Sequence, residues 1–130
     1  MSEIQMIHTS KAPAAVGPYS QGTAWNALVF VSGQLGLLPE SGTFAGGPED
    51  FESQARQALR NMSAILDAAG SSLEQVLNVE VFLTDMGQFA TFNAIYEEFF
   101  NTHKPARAAV EVAGLPKGGL VEVKCTATKS

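Results

Sequence analysis

The stretch "ARAAVEVAGLPKGGLVEVKC", residues 106–125, decides how the chain is read. Two apolar runs with the alternation of β-strands flank a Gly/Pro turn. The charges inside those runs are few: Arg107, Glu111, Glu122 and Lys124. An arginine at the head of an apolar strand is either a solvated edge residue or a clamp for an anion. The rest of the chain has to decide between these.

Upstream of that stretch the period changes from two to between three and four. Phe89, Phe92, Ile95, Tyr96, Phe99 and Phe100 fall on one side of a helix that ends near "NTHKP", because Pro105 disfavours helix at Lys104. Asp85 followed by Gln88 has the spacing of an N-capping pair at its start. "VLNVEVFLTD" (76–85) alternates as a strand. Before it, Phe51, Ala55, Ala58, Leu59, Met62, Ile65, Leu66 and Ala69 form the apolar stripe of a longer helix over 48–69. Pro48 suits its first turn and Gly70 its stop.

"YSQGTAW" (19–25) and "LVFVSGQLGL" (28–37) read as strands meeting at a turn around Asn26 and Ala27. "EIQMIHT" (3–9) is a short strand. "KAPAAVGP" (11–18) and "PESGTFAGG" (39–47) are irregular connections. At the C-terminal end, "ARAAVEVA" and "LVEVKCTAT" close the chain across "GLPKGG", placing Glu122 across that turn from Arg107.

The order is strands, helix, strand, helix, strands, within one domain of residues 1–130. Two amphipathic helices cover one face of one sheet, so the fold class is an α+β two-layer sandwich. The other sheet face then needs cover. With 45% apolar and only 16% charged residues, an oligomer that packs several bare faces together would provide it.

Composition also narrows function. Eight Lys and Arg against thirteen Asp and Glu give a net charge of −5, and the cations are scattered, which argues against a nucleic-acid surface. A single cysteine, Cys125, permits no internal disulfide and points to a reducing, cytoplasmic compartment. No apolar run approaches the ~20 residues that span a bilayer. Neither a secretory h-region nor an Arg-rich transit peptide is recognisable in "MSEIQMIHTSKAPAAVGPYSQG".

The usual chemical motifs are absent: no GxGxxG, P-loop, CxxC or HExxH occurs. His8 and His103 have no local metal-ligand partners, and Cys125 sits mid-strand among apolar neighbours, as a core residue would. What remains are polar groups where apolar ones are expected: Arg107, Glu122, Asn93, Tyr19 and the Ser32-Gly33-Gln34 interruption. Singly, each has a structural reading. Glu122 would pair with Lys124 on a wet face, Asn93 would cap a loop, and Gly33 would mark a β-bulge. Together they supply a guanidinium, a carboxylate, a phenol and an amide, which suit holding a small carboxylate and moving protons.

These residues lie in blocks that resemble the RidA (YjgF, reactive intermediate deaminase A) family. The blocks are "APAAVGPYSQG", "VFVSGQLGL", "FLTDMGQFATFNAIYEEFF" and "PARAAVEVAGLPKGGLVEVKCTA". The resemblance covers Ala12 to Ala127. It implies a chorismate-mutase-like fold, a homotrimer whose sheets form a central barrel, and clefts between subunits. It also implies a cofactor-independent deaminase that hydrolyses 2-iminobutanoate, 2-iminopropanoate or 2-aminoacrylate to a 2-keto acid and ammonia. By the same resemblance, Arg107 binds the substrate carboxylate, and Glu122 orients or activates the attacking water. Tyr19, Ser32, Gly33 and Asn93 then line the pocket.

The chain departs from the family in two places. Ala109 stands where many members have a cysteine, and the link "NTHK" (101–104) is short. Two rival functions accompany the resemblance. One is a ribonuclease or translation inhibitor, against which the acidic charge weighs. The other is a non-catalytic binder of small carboxylates or chaperone-like trimer, against which the joint presence of Arg107 and Glu122 weighs.

Overall fold

Six strands form one mixed sheet in the order β1-β2-β3-β6-β4-β5. The structure, a computed structural model, describes residues 3–130; Met1 and Ser2 of the expected domain lie outside the described residues. The strands are β1 (Gln5–Ile7), β2 (Gly22–Trp25), β3 (Leu28–Leu35), β4 (Val76–Leu83), β5 (Ala106–Glu111) and β6 (Val121–Thr128), and the helices are α1 (Phe51–Ala68) and α2 (Phe89–Phe99). Both helices pack on one face of the sheet, as the two amphipathic patterns predict. Val29, Val31, Val79, Val81, Leu83, Val121, Val123 and Cys125 meet Leu59, Met62, Ile65, Leu66, Phe92 and Ile95 in one core. Each fully buried leucine or isoleucine there contributes about 2 kcal/mol.

The quoted C-terminal stretch folds differently from a simple pair of strands across a turn. β5 does not pair with β6. It lies at the sheet edge, parallel to β4, while β6 fills the slot between β3 and β4 and is antiparallel to both. The physical reason is the crossover: β4, α2 and β5 form one βαβ unit, and its helix returns the chain to the same end of the sheet. Residues 112–120 then carry the chain back past the edge, and Val112 N–H donates to the Leu83 carbonyl on the way. The two polar residues of the stretch therefore end far apart.

Helix starts also differ in detail. α1 begins at Phe51, three residues after Pro48, because Asp50 caps it: Asp50 Oδ1 accepts from Ser53 N–H at 3.0 Å and Oδ2 from the Ser53 hydroxyl at 2.9 Å. Asp85 caps a short 3-10 turn (Met86–Gln88), accepting from Gly87 N–H at 2.8 Å, and Gln88 makes no side-chain cap to α2. Gly70 ends α1 as expected, with a left-handed φ of 81°.

α1 carries a polar stripe along its buried side. Gln54 and Asn61 are fully buried. Asn61 Nδ2 donates to the carbonyls of Leu35 (3.1 Å) and Leu37 (2.8 Å), and its Oδ1 accepts from Gln57 at 2.8 Å. Gln54 Oε1 accepts from Leu120 N–H at 3.0 Å. These amides fix the end of β3 and the start of β6 where strand pairing stops. Gly36 makes the approach possible: a Cβ there would stand 2.4 Å from the Gln54 Cα.

The opposite sheet face is uncovered by any helix. Met6, Trp25, Phe30 and Val110 are exposed on it, and Glu80 and Lys124 pair with each other there at 3.6 Å.

Candidate active site in two halves

The polar residues singled out by the sequence fall into two groups on opposite faces of the sheet. The first group surrounds a cavity of about 140 Å³ lined by Tyr19, Gly33, Leu35, Leu37, Lys117 and Glu122, among others. Glu122 lies between the fully buried Val121 and Val123, so it points to the uncovered face, opposite Leu35 on β3 and Phe82 on β4. It does not pair with Lys124, whose partner is Glu80. Burial raises the Glu122 carboxyl above its ordinary value of 4.5, an effect that the charge of Lys124 partly offsets.

Gly33 faces this carboxylate. The register between β3 and β6 shifts between Val31 and Gln34, so the glycine does mark a bulge, and it also leaves room for Glu122. Tyr19 is half exposed at the cavity, its phenol oxygen accepting from Val16 N–H at 3.3 Å. Ser32 is not part of the lining. Its hydroxyl donates to the Ser20 carbonyl at 2.6 Å and so ties β3 to the Tyr19 segment.

A residue that the sequence reading passed over, Gln21, holds this half together. It is almost fully buried and lines the cavity. Its Oε1 accepts from Thr9 N–H at 2.7 Å, and its Nε2 faces the carbonyls of Pro13 (2.8 Å), Thr9 (3.1 Å) and Ala12 (3.3 Å). That amide ties the irregular 9–13 segment to the residue just before β2, while the Gln21 carbonyl continues the ladder by accepting from Ser32 N–H at 2.9 Å.

The second group lies on the helix face. Arg107 sits opposite Val79 in the β4–β5 ladder and reaches toward α2. Its guanidinium carbon lies 4.7 Å from the Tyr96 ring centroid and 5.5 Å from that of Phe89. Asn93 lies between these two on the same helix face, and its Oδ1 is buried without a hydrogen-bond partner, as is the Tyr96 hydroxyl. Burial pushes the Tyr96 phenol up to about 12, against the pull of Arg107, so it stays neutral. Ala109, on the same face two residues along, packs against the core.

Within one chain the halves cannot meet on a single small molecule. From Arg107 to Glu122 the ladder runs two strand spacings across and three residues along, roughly 14 Å between Cα atoms, with the side chains on opposite faces. Among the described residues, no group of three or more His, Cys, Asp or Glu side chains is placed to hold a metal ion. His103 instead bonds the Val76 carbonyl at 2.7 Å, and Cys125 is buried in the core. No helix among the described residues is long and apolar enough to cross a membrane.

Comparison with known proteins places the chain. Residues 9–129 match the family model described as Endoribonuclease L-PSP. The chain is similar to bovine 2-iminobutanoate/2-iminopropanoate deaminase, with 44% identity over 96% of this chain and 90% of the relative. It is also 44% identical to the chloroplastic Reactive Intermediate Deaminase A of Arabidopsis thaliana, over 95% of this chain and 65% of that longer protein. Among solved structures, E. coli TdcF with bound serine superposes with a TM-score of 0.90 at 41% identity, over 97% of this chain and 99% of the other. Sequence and fold agree, and the chain belongs to the Endoribonuclease L-PSP family, the one that includes the RidA/YjgF reactive intermediate deaminases.

Proposed function

We propose that the protein is a 2-iminobutanoate/2-iminopropanoate deaminase that works at clefts between subunits of a homotrimer. The observation that carries this reading is the separation of Arg107 and Glu122 onto opposite faces of one chain's sheet. Each half lacks what the other has. One has a carboxylate beside a small cavity, and the other a guanidinium with unpartnered polar atoms around it. A second copy packed on the uncovered face, through Met6, Trp25, Phe30 and Val110, supplies the missing half and covers the apolar surface.

The chemistry asked of these groups is modest. Arg107 forks onto the substrate carboxylate and fixes its plane, which a lysine would not do. The conjugated C=N carbon is then electrophilic enough for water. The Glu122 carboxylate takes a proton from that water as it adds to the protonated imine, giving a neutral carbinolamine, and returns the proton to the amine nitrogen. The carbinol hydroxyl then gives its proton to the carboxylate as the C–N bond breaks, ammonia leaves with the bonding electrons, and the carbonyl of a 2-keto acid forms. A carboxyl raised by burial is better matched to this exchange than an exposed one. Tyr19, Gly33 and Asn93 shape the pocket, while Ser32 acts from behind it by holding Ser20. The bovine relative is named for this activity, and the plant relative as a reactive intermediate deaminase. The single, buried cysteine fits a reducing, cytoplasmic location.

The test couples a serine/threonine dehydratase to the purified protein and follows loss of the imine it releases. Added protein speeds conversion to the 2-keto acid. Arg107→Ala abolishes that acceleration, and acceleration at the wild-type level by this variant overturns the reading.

A further inference from the structure

Given that Arg107 is the carboxylate clamp proposed above, we infer that Phe89 and Tyr96 are its positioning residues, a seat of two aromatic rings on α2 that fixes the guanidinium before substrate arrives. Phe89 and Tyr96 are seven residues apart, two helical turns or about 10.5 Å of rise on one face of the helix. The guanidinium carbon lies 5.5 Å from one ring and 4.7 Å from the other, so it bridges the gap between them. Both distances are within cation–π reach.

The Tyr96 ring of the seat is held in place by its neighbours. Tyr96 packs on Phe92 (centroids 5.7 Å apart, planes at 39°) and on Phe100 (4.7 Å, 31°), and both of those rings are fully buried. An arginine at a sheet edge without such contacts would sample many rotamers and would lose that freedom on binding. The two rings take the loss during folding instead, which is preorganisation. The role belongs to the ring and not to the phenol oxygen, since the guanidinium lies over the face.

Binding of 2-oxobutanoate, followed by titration calorimetry, tests the seat without depending on turnover. Tyr96→Leu and Phe89→Leu are each expected to weaken binding about tenfold, and Tyr96→Phe, which keeps the ring, restores it to within about threefold. In an Arg107→Ala background no cation is left to seat, so Tyr96→Leu there changes the residual affinity less than about twofold. Equal weakening by Tyr96→Leu in both backgrounds shows a merely structural role and overturns the seat, as does unaltered binding by the single variants. Should Tyr96→Leu not fold, Phe89→Leu, at the half-buried start of α2, gives the same comparison. Wild-type affinity in Arg107→Ala is a different result: it overturns the clamp itself, whatever the aromatic variants do.

Discussion

A Cβ placed on Gly33 would stand 2.8 Å from the carboxyl carbon of Glu122 and 2.9 Å from its Oε2. The obstruction lies at the end of a flexible side chain, so Gly33→Ala leaves the fold intact and displaces the carboxylate. Turnover is expected to fall about tenfold or more, with stability changed by less than about 1 kcal/mol. Steady-state kinetics beside a denaturant melt check both halves of this. Unchanged kcat/KM would mean that the position of Glu122 is not critical.

Glu122 also gives the enzyme a pH dependence with a definite sign. Its carboxyl is raised above 4.5 in the folded chain, so between the unfolded and folded values the native state holds the extra proton. Stability from this group is therefore greatest below the unfolded value and declines as pH rises through the folded one. Glu122→Gln, neutral throughout, is expected to melt higher than wild type at pH 7. The difference should close as the pH falls below about 4, where wild type is neutral as well. Activity moves the opposite way: wild-type kcat/KM rises with pH as the carboxylate forms, and the variant loses turnover. Melting curves from pH 3.5 to 8 that show no narrowing would contradict the assignment.

Asn61 is a structural support of the same cavity. Its side chain satisfies the carbonyls of Leu35 and Leu37 and the amide of Gln57 from a fully buried position. Asn61→Ala leaves those buried and part-buried groups without their partner, and a loss of about 2–4 kcal/mol is expected in urea denaturation. A loss below about 0.5 kcal/mol would show that the carbonyls find other partners.

The uncovered face predicts coupled loss of assembly and activity. Phe30 is 45% exposed between two fully core-directed neighbours, Val29 and Val31, so Phe30→Asp costs the isolated chain little. Light scattering after size exclusion is expected to show monomers, and the imine assay to show no turnover. Active monomers would rule out a shared site.

The parts of this architecture set by local periodicity could be read from the chain alone. The stripe from Phe51 to Ala69 and the alternation of 76–85 each report which face is buried. So does the apolar alternation of β6, since a strand with neighbours on both edges shows the same pattern as one in a hairpin. That ambiguity is why the C-terminal stretch suggested Arg107 and Glu122 as neighbours across a turn, whereas β4 lies between their strands. Pairing order is a long-range property that α2 imposes through its crossover. Arg107 and Glu122 were legible as candidates because a charge in an apolar strand violates the pattern. Gln21 and the Phe89–Tyr96 seat were not, since an amide in a loop and aromatics on a helix stripe obey their local patterns and acquire a role only from what folding brings beside them.

Subunit complementation tests the central claim, a site shared between copies, most directly. Arg107→Ala and Glu122→Gln are each expected to be inactive alone. Mixed, denatured and refolded together, they form hybrid trimers in which some clefts join the intact Arg107 of one chain to the intact Glu122 of the next. With random assembly, about one cleft in four is whole, so about a quarter of wild-type activity returns. Hybrid trimers verified by mass spectrometry that remain inactive would contradict the account.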